Sequence, residues 1–195
     1  MEKISSNNRT GITILTGIIF TAALSRILPH PWNFTPVGAM ALFGSAYYAS
    51  RWMAFIVPLA ALWISDVVIN STIHAPFIEG SPLFHPSMIA VYLAFISITL
   101  TGLLILRKVS VSRVLLSALT GAVAFWLIVD FASWTWDPIY RTLYPRNLAG
   151  LLACYTAGFP FFLKMLLGNL LYSSLLFAVF EVLRRKLPSL ALAAR

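Results

Sequence analysis

One cysteine, three histidines and six acidic residues in a chain of 195 leave little material for several kinds of chemistry. Cys154 can neither close an internal disulfide nor supply a cysteine metal site by itself, which excludes a disulfide scaffold and a zinc ribbon. His30, His74 and His85 come from separated segments, so no metal site is expected of them. The sequence has no GxxxxGKS/T phosphate loop, no GxGxxG after a strand, no HExxH and no GxSxG elbow. No cofactor is therefore expected, an enzyme is not, and any nucleotide-driven work must come from a partner. Charged residues make up 10% of the chain against roughly 25% in a soluble domain, too few to cover a water-exposed surface.

What the chain does have is apolar length. Hydrophobic residues reach 59%, with fourteen Phe, seven Tyr and six Trp. A membrane-spanning helix needs about 20 mainly apolar residues, and the runs at 11–28, 36–50, 52–70, 87–106, 112–133 and 164–183 supply six candidates, the second of them short. Three prolines in PHPWNFTP at 29–36 rule out a continuous helix there, and Pro58 sits in the middle of the third run. The segment 147–162, with Gly150, Gly158 and Pro160, reads as a short re-entrant or interfacial helix before the last span. Residues 1–27 have the charge and small-residue pattern of a leader, but the runs that follow are equally apolar, so they read as the first span. The expected fold is an all-α integral membrane protein, a single six-helix transmembrane domain.

The net charge of +8 does not point to nucleic acid, because the basic residues fall in short clusters between apolar runs. With six spans and a cytoplasmic N-terminus, ten of the fourteen basic residues lie inside: Lys3, Arg9, Arg51, Arg107, Lys108, Arg113, Arg184, Arg185, Lys186 and Arg195. A seventh span at 147–162 would move the Arg184 cluster outside. Both termini are thus expected in the cytoplasm.

The few ionisable residues within the spans are costly there and are functional candidates by default. Arg26, Asp66, Asp130, Lys164 and Asn169 come to similar depth near the outer ends of their helices. Connecting segments on that side add His30, Trp32, Asn33, His74, His85, Trp134, Trp136, Asp137, Tyr140 and Tyr144. Helical spacing puts Trp126, Asp130 and Trp134 on one face, Trp63 and Asn70 with Asp66, and Tyr172 and Ser173 with Asn169. Aromatic walls around a few convergent polar groups describe a pocket for a small molecule. The expected ligand-binding residues are Arg26, His30, Trp32, Asn33, Asp66, Trp126, Asp130, Trp134, Asn169 and Tyr172. Two readings stand side by side: Arg26 forms a structural ion pair with Asp66 or Asp130, or these groups contact ligand. Glu181 is expected at the other interface near Arg184 and Arg185. Small residues from Gly38 to Ala46 and from Ser117 to Ala124 give two light helix faces for close packing.

The segments SRILPHPWNFTPVGAMALFGSAY at 25–47, ISD at 64–66 and TLYPRNLAGLLACYTAGFPFFLKMLLGNLLYSSLLF at 142–177 resemble a family of small bacterial inner-membrane proteins without assigned function. That family is in turn similar to the substrate-binding S components of energy-coupling factor (ECF) vitamin transporters, through Asn33, Thr35, Pro36 and Gly38 after the first helix, the light helix from Ala39 to Ala46, and Asp66. The resemblance implies a six-helix bundle in the inner membrane that captures a vitamin-like solute from outside, and as partners a transmembrane coupling subunit and ATPases. One departure is visible, since Ala22 and Ala23 followed by Arg26 make no A-x-x-x-A docking face on helix one. The competing expectation is a non-transporting membrane interaction or scaffold protein, whose outer polar cluster would be closed by ion pairs.

Overall fold

The shortest helix is the centre of the structure. In the computed structural model, which describes residues 2–77, 81–136, 143–186 and 190, all eleven residues of α2 (Val37–Tyr47) are buried. Around it stand α1 (Glu2–Leu24, prolonged by a 3-10 turn at Ser25–Ile27), α3 (Arg51–Thr72), α4 (Ser87–Ile105), α5 (Val111–Trp136) and α6 (Leu148–Lys186). These five are long and apolar enough to cross a membrane. The fold is that of a helical multi-pass membrane protein.

Composition explains the central position of α2. Gly, Ala and Ser alternate with Met40, Leu42 and Phe43, so the backbone lies close to its neighbours on every side. Its larger side chains Met40, Leu42 and Phe43 are all fully buried. Phe43 packs its ring 4.9 Å from Tyr47 and meets Phe177 and Phe180 edge-on at 5.7 and 5.3 Å. Edge-to-face pairs of this kind contribute about 0.5–1.5 kcal/mol each beyond the area they cover. The light face of α5 is also used internally, with Ser117, Ala118, Gly121 and Ala122 all buried.

Side-chain contacts fix the directions. Thr16 of α1 bonds the Tyr48 hydroxyl at 2.8 Å, while Arg26 reaches Ser65 and Asp66, so α1 and α3 run the same way. Tyr47 donates to Glu181 at 2.7 Å and Gly38 lies against Asn169, so α2 and α6 run together in the opposite sense. Glu181 also pairs with Arg184 at 3.0 Å, which ties this expected interface residue into the bundle. Arg9, Arg51, Arg107, Lys108, Arg113 and the cluster Arg184 to Lys186 thereby gather at one end, called the basic end below; Arg26 marks the other.

Two boundaries differ from the sequence expectation. The run at 36–50 yields only eleven helical residues, about 16 Å of rise against a hydrocarbon layer of ~30 Å, so α2 starts inside the layer and cannot cross it alone. It is preceded by the proline-bearing segment 28–36, which turns at Trp32 and Asn33 with a Phe34 N–H to Pro31 carbonyl bond at 3.0 Å. Conversely, the break expected between 147–162 and 164–183 is absent, and Leu148–Lys186 is one helix of 39 residues through Pro160. Proline removes one backbone donor, but where no water competes the helix is the cheapest way to satisfy the remaining groups. At about 58 Å, α6 is roughly twice as long as the layer is thick. Its first half pairs with the end of α5, where Tyr155 donates to the Leu127 carbonyl at 2.8 Å and Cys154 to that of Asp130 at 3.6 Å. Its second half joins the bundle. The other spans keep their positions with shifted ends, α1 reaching back to Glu2 and α5 on to Trp136. The expected outer residues Asp137, Tyr140 and Arg141 lie outside the described residues.

Helix α6 begins where Asn147 accepts the Gly150 N–H on its side-chain oxygen at 2.9 Å. An N-cap of this kind contributes about 1 kcal/mol. Asn147→Ala is expected to lower bundle stability by that amount in a denaturant titration in detergent, and Asn147→Asp to retain it; equal stability of all three proteins would show the cap to be idle.

Candidate functional site

At the Arg26 end the polar residues separate into three groups. The first is ion-paired, with Arg26 Nε alone left without a hydrogen-bond partner. Arg26 Nη1 meets Asp66 Oδ1 at 2.7 Å and donates to Ser65 at 2.6 Å, while the Tyr92 hydroxyl donates to Asp66 Oδ2 at 3.2 Å. Both charged side chains are largely buried, at 14% and 13% exposure. Of the two expected partners for Arg26, the structure selects Asp66. Charges that meet in a low-dielectric layer neutralise each other at short range, so this group ties α1, α3 and α4 together.

The second group is open. Asp130 on α5 points toward α6, where Gly158 admits it: a Cβ at 158 would lie 1.8 Å from Asp130 Oδ2. Beside the carboxylate is a cavity of about 40 Å³, lined by Asn33 from the α1–α2 connection, Phe125 and Trp126 from α5, and Phe161, Phe162 and Met165 from α6. Asn33 holds a backbone φ of 63°, in the left-handed region that asparagine tolerates better than most residues. Trp126 packs its ring against Tyr155, Phe159 and Phe162 at 5.3, 6.0 and 4.9 Å. Two buried polar atoms here, Asp130 Oδ2 and Trp126 Nε1, lie near each other but make no hydrogen bond of normal geometry, with each other or with another group. Such orphans are rare in folded proteins and call for an explanation.

The third group sits at the start of α2. Pro36 is the N-cap and offers no side-chain acceptor; the first backbone bond runs from Met40 to Pro36 at 2.9 Å. Asn169 is 1% exposed and presses on Gly38, where a Cβ would lie 2.2 Å from its Oδ1. Neither of its amide atoms is bonded, nor is the Ser173 hydroxyl. Tyr172 stands against Phe34 at 5.7 Å between ring centres.

The remaining expected residues do other work. His30 bonds the Leu28 carbonyl through Nδ1 at 2.6 Å, Trp32 is 72% exposed and stacks on His74, and Trp134 donates to the Pro145 carbonyl at 3.1 Å beneath the Arg146 guanidinium. Trp63 and Asn70 donate to the Leu83 and Pro82 carbonyls and brace the α3–α4 connection. Lys164 is exposed and holds its ammonium 5.9 Å from the Phe161 ring centre. Sequence reasoning missed Tyr92, Ser65 and Gly158. Gly158 carried a readable signal, because 158, 162, 165 and 169 recur at the spacing of one helix face, and that face bears Asn169.

Among the described residues, no group of three or more His, Cys, Asp or Glu side chains is placed to hold a metal ion. The arrangement is suited to binding, with one carboxylate and one indole N–H held unsatisfied at an aromatic cavity. No curated protein and no solved structure matches the chain. The model of the family of unknown function DUF6580 matches residues 6–190, nearly the whole chain, and the protein belongs to that family.

Proposed function

We propose that this protein is a solute-binding or transport protein of the bacterial inner membrane, taking a small vitamin-like solute at the Arg26 end with that end facing outward. The observation that carries the reading is the cavity at the α5–α6 seam, where Asp130 Oδ2 and Trp126 Nε1 are buried without partners. The other acid at this depth, Asp66, is already neutralised. Known ligand pockets measure about 300–1,000 Å³, so a cavity of about 40 Å³ fits the polar head of a solute. The rest of the molecule would extend past Asn33 and Phe161, the exposed members of the lining. Clustering of basic residues at the opposite end supports the orientation, with both termini cytoplasmic.

An S component of an ECF transporter has this general plan, and that likeness belongs to the proposal. Docking on a coupling subunit through α1 is the least supported part, because Ala22 and Ala23 are buried within the bundle. The competing reading, a membrane scaffold, requires the whole polar cluster to be closed by ion pairs. Arg26 and Asp66 meet that requirement; Asp130 does not.

Native mass spectrometry of the full chain extracted in mild detergent is expected to find a small molecule retained by the wild type and lost from Asp130→Asn. If no solute is retained under repeated gentle extraction, and cells carrying R26A, D66A or D130A take up every screened solute normally, the proposal fails.

A further inference from the structure

Asp130 carries a carboxylate for which the described residues supply no ion pair. A carboxylate in a membrane bundle is neutralised by a proton or by a positive partner, and the ion pairs among the described residues are Arg26 with Asp66 and Arg184 with Glu181. Lys164 is the nearest basic residue along α6, but its ammonium lies over Phe161 and makes no ion pair with Asp130. A bound cation would supply the positive partner that no ion pair among the described residues gives Asp130.

The cavity wall says what kind of cation suits it. A bare inorganic ion wants about six or more oxygen ligands, or several carboxylates and carbonyls for a divalent one. This cavity offers the Asp130 carboxylate and the Asn33 side chain, and the rest of the lining is largely ring and thioether: Phe125, Trp126, Phe161, Phe162 and Met165. Aromatic faces attract cations whose charge is spread over alkyl groups and whose hydration is weak, and Trp does so best. Phe161 already has the Lys164 ammonium 5.9 Å from its ring centre. By size, the cavity of about 40 Å³ holds about three waters.

We infer that the α5–α6 seam is a binding site for a small organic ammonium group, with Asp130 as its counter-charge and Phe125, Trp126, Phe161 and Phe162 as its aromatic wall. The inference rests on the solute-binding reading and names the chemical class of the head group. Methylated or quaternary ammonium fits the wall best, because its charge is carried on methyl surfaces that the rings can contact without stripping tightly held water. A solute whose head is a carboxylate or phosphate is excluded by the same carboxylate.

The test is equilibrium binding of tetramethylammonium to the purified full chain in detergent, read by calorimetry and by tryptophan fluorescence. Saturable binding is expected, with no comparable binding of sodium, potassium or the neutral, near-isosteric tert-butanol. Asp130→Asn is expected to weaken it at least tenfold, and Trp126→Leu several-fold more than Trp126→Phe. The Trp126 pair keeps the test decisive if Asp130→Asn fails to fold. Equal binding of tert-butanol, unchanged binding in folded Asp130→Asn, or no difference between Trp126→Leu and Trp126→Phe overturns the assignment. Absence of ammonium binding alongside a neutral or anionic solute retained in the native mass spectrum overturns the cation class and leaves solute binding standing. Absence of both removes both.

Discussion

Truncating Arg26 to alanine on its own is expected to destabilise the folded bundle by about 3–5 kcal/mol, and Asp66→Ala by a similar amount. Each single change strands a buried charge: without Arg26, Asp66 keeps only the hydrogen bond from Tyr92, and without Asp66, Arg26 keeps only Ser65. Replacing both by apolar residues of similar volume, as in Arg26→Met with Asp66→Leu, removes the pair without leaving either charge behind. That double variant is expected to recover most of the loss, because a buried ion pair gains little over good apolar packing once its desolvation is counted. Unfolding in a denaturant titration of the wild type, Arg26→Met, Asp66→Leu and the double variant in detergent closes the cycle and gives the coupling directly. If the two single losses simply add in the double variant, Arg26 and Asp66 are not a closed pair, and one of them has another partner. The result also bears on function. A pair whose removal is tolerated when both members go is structural, which concentrates the search for ligand contacts on Asp130.

The sequence exposes these two acids for different reasons and with different completeness. Asp66 and Asp130 stand out because ionisable groups are scarce in spans, and that scarcity is a local property any reader of the chain can see. Their partners are not local. Arg26 lies 39 residues from Ser65 and Tyr92 lies 26 from Asp66, contacts that depend on how whole helices pack. The spans themselves are legible because apolar length is fixed by bilayer thickness, and the basic clusters set their alternation. The sequence points to a break around Gly158 and Pro160, where the structure has one helix, because these residues break helices in water, where free backbone groups find solvent. In a helix pair inside the layer, the same glycine serves another purpose, which is to let α5 bring a carboxylate against α6. The early end of α2 was hidden for the opposite reason. Its flanks at 36 and 48–50 are as apolar as its middle, and only the surrounding helices decide how much of the run coils.

Gly158→Ala carries the second large effect. The added methyl would meet Asp130 Oδ2, Cγ and Oδ1 at 1.8, 2.6 and 2.9 Å, so the whole carboxylate must leave its position and not merely adjust. Over-packing of this kind costs about 1–3 kcal/mol, and the upper part of that range is expected here because Asp is short and its neighbours are rigid rings. Tightly packed α5 and α6 cannot simply separate, since Tyr155 and Cys154 fasten the same stretch to the Leu127 and Asp130 carbonyls. The diagnostic is the double variant Gly158→Ala with Asp130→Ala. Removing the carboxylate vacates the space the methyl needs, and Asp130 Oδ2 gives up no hydrogen bond in leaving. Near-recovery of wild-type stability in the double variant is expected, a coupling of about 1–3 kcal/mol. Losses that add would mean that the methyl is resisted by the helix backbones themselves. Recovery locates the strain in the carboxylate, and with it the reason a glycine stands at this point of a 39-residue helix: the chain keeps an acid at the seam that its own folding does not require.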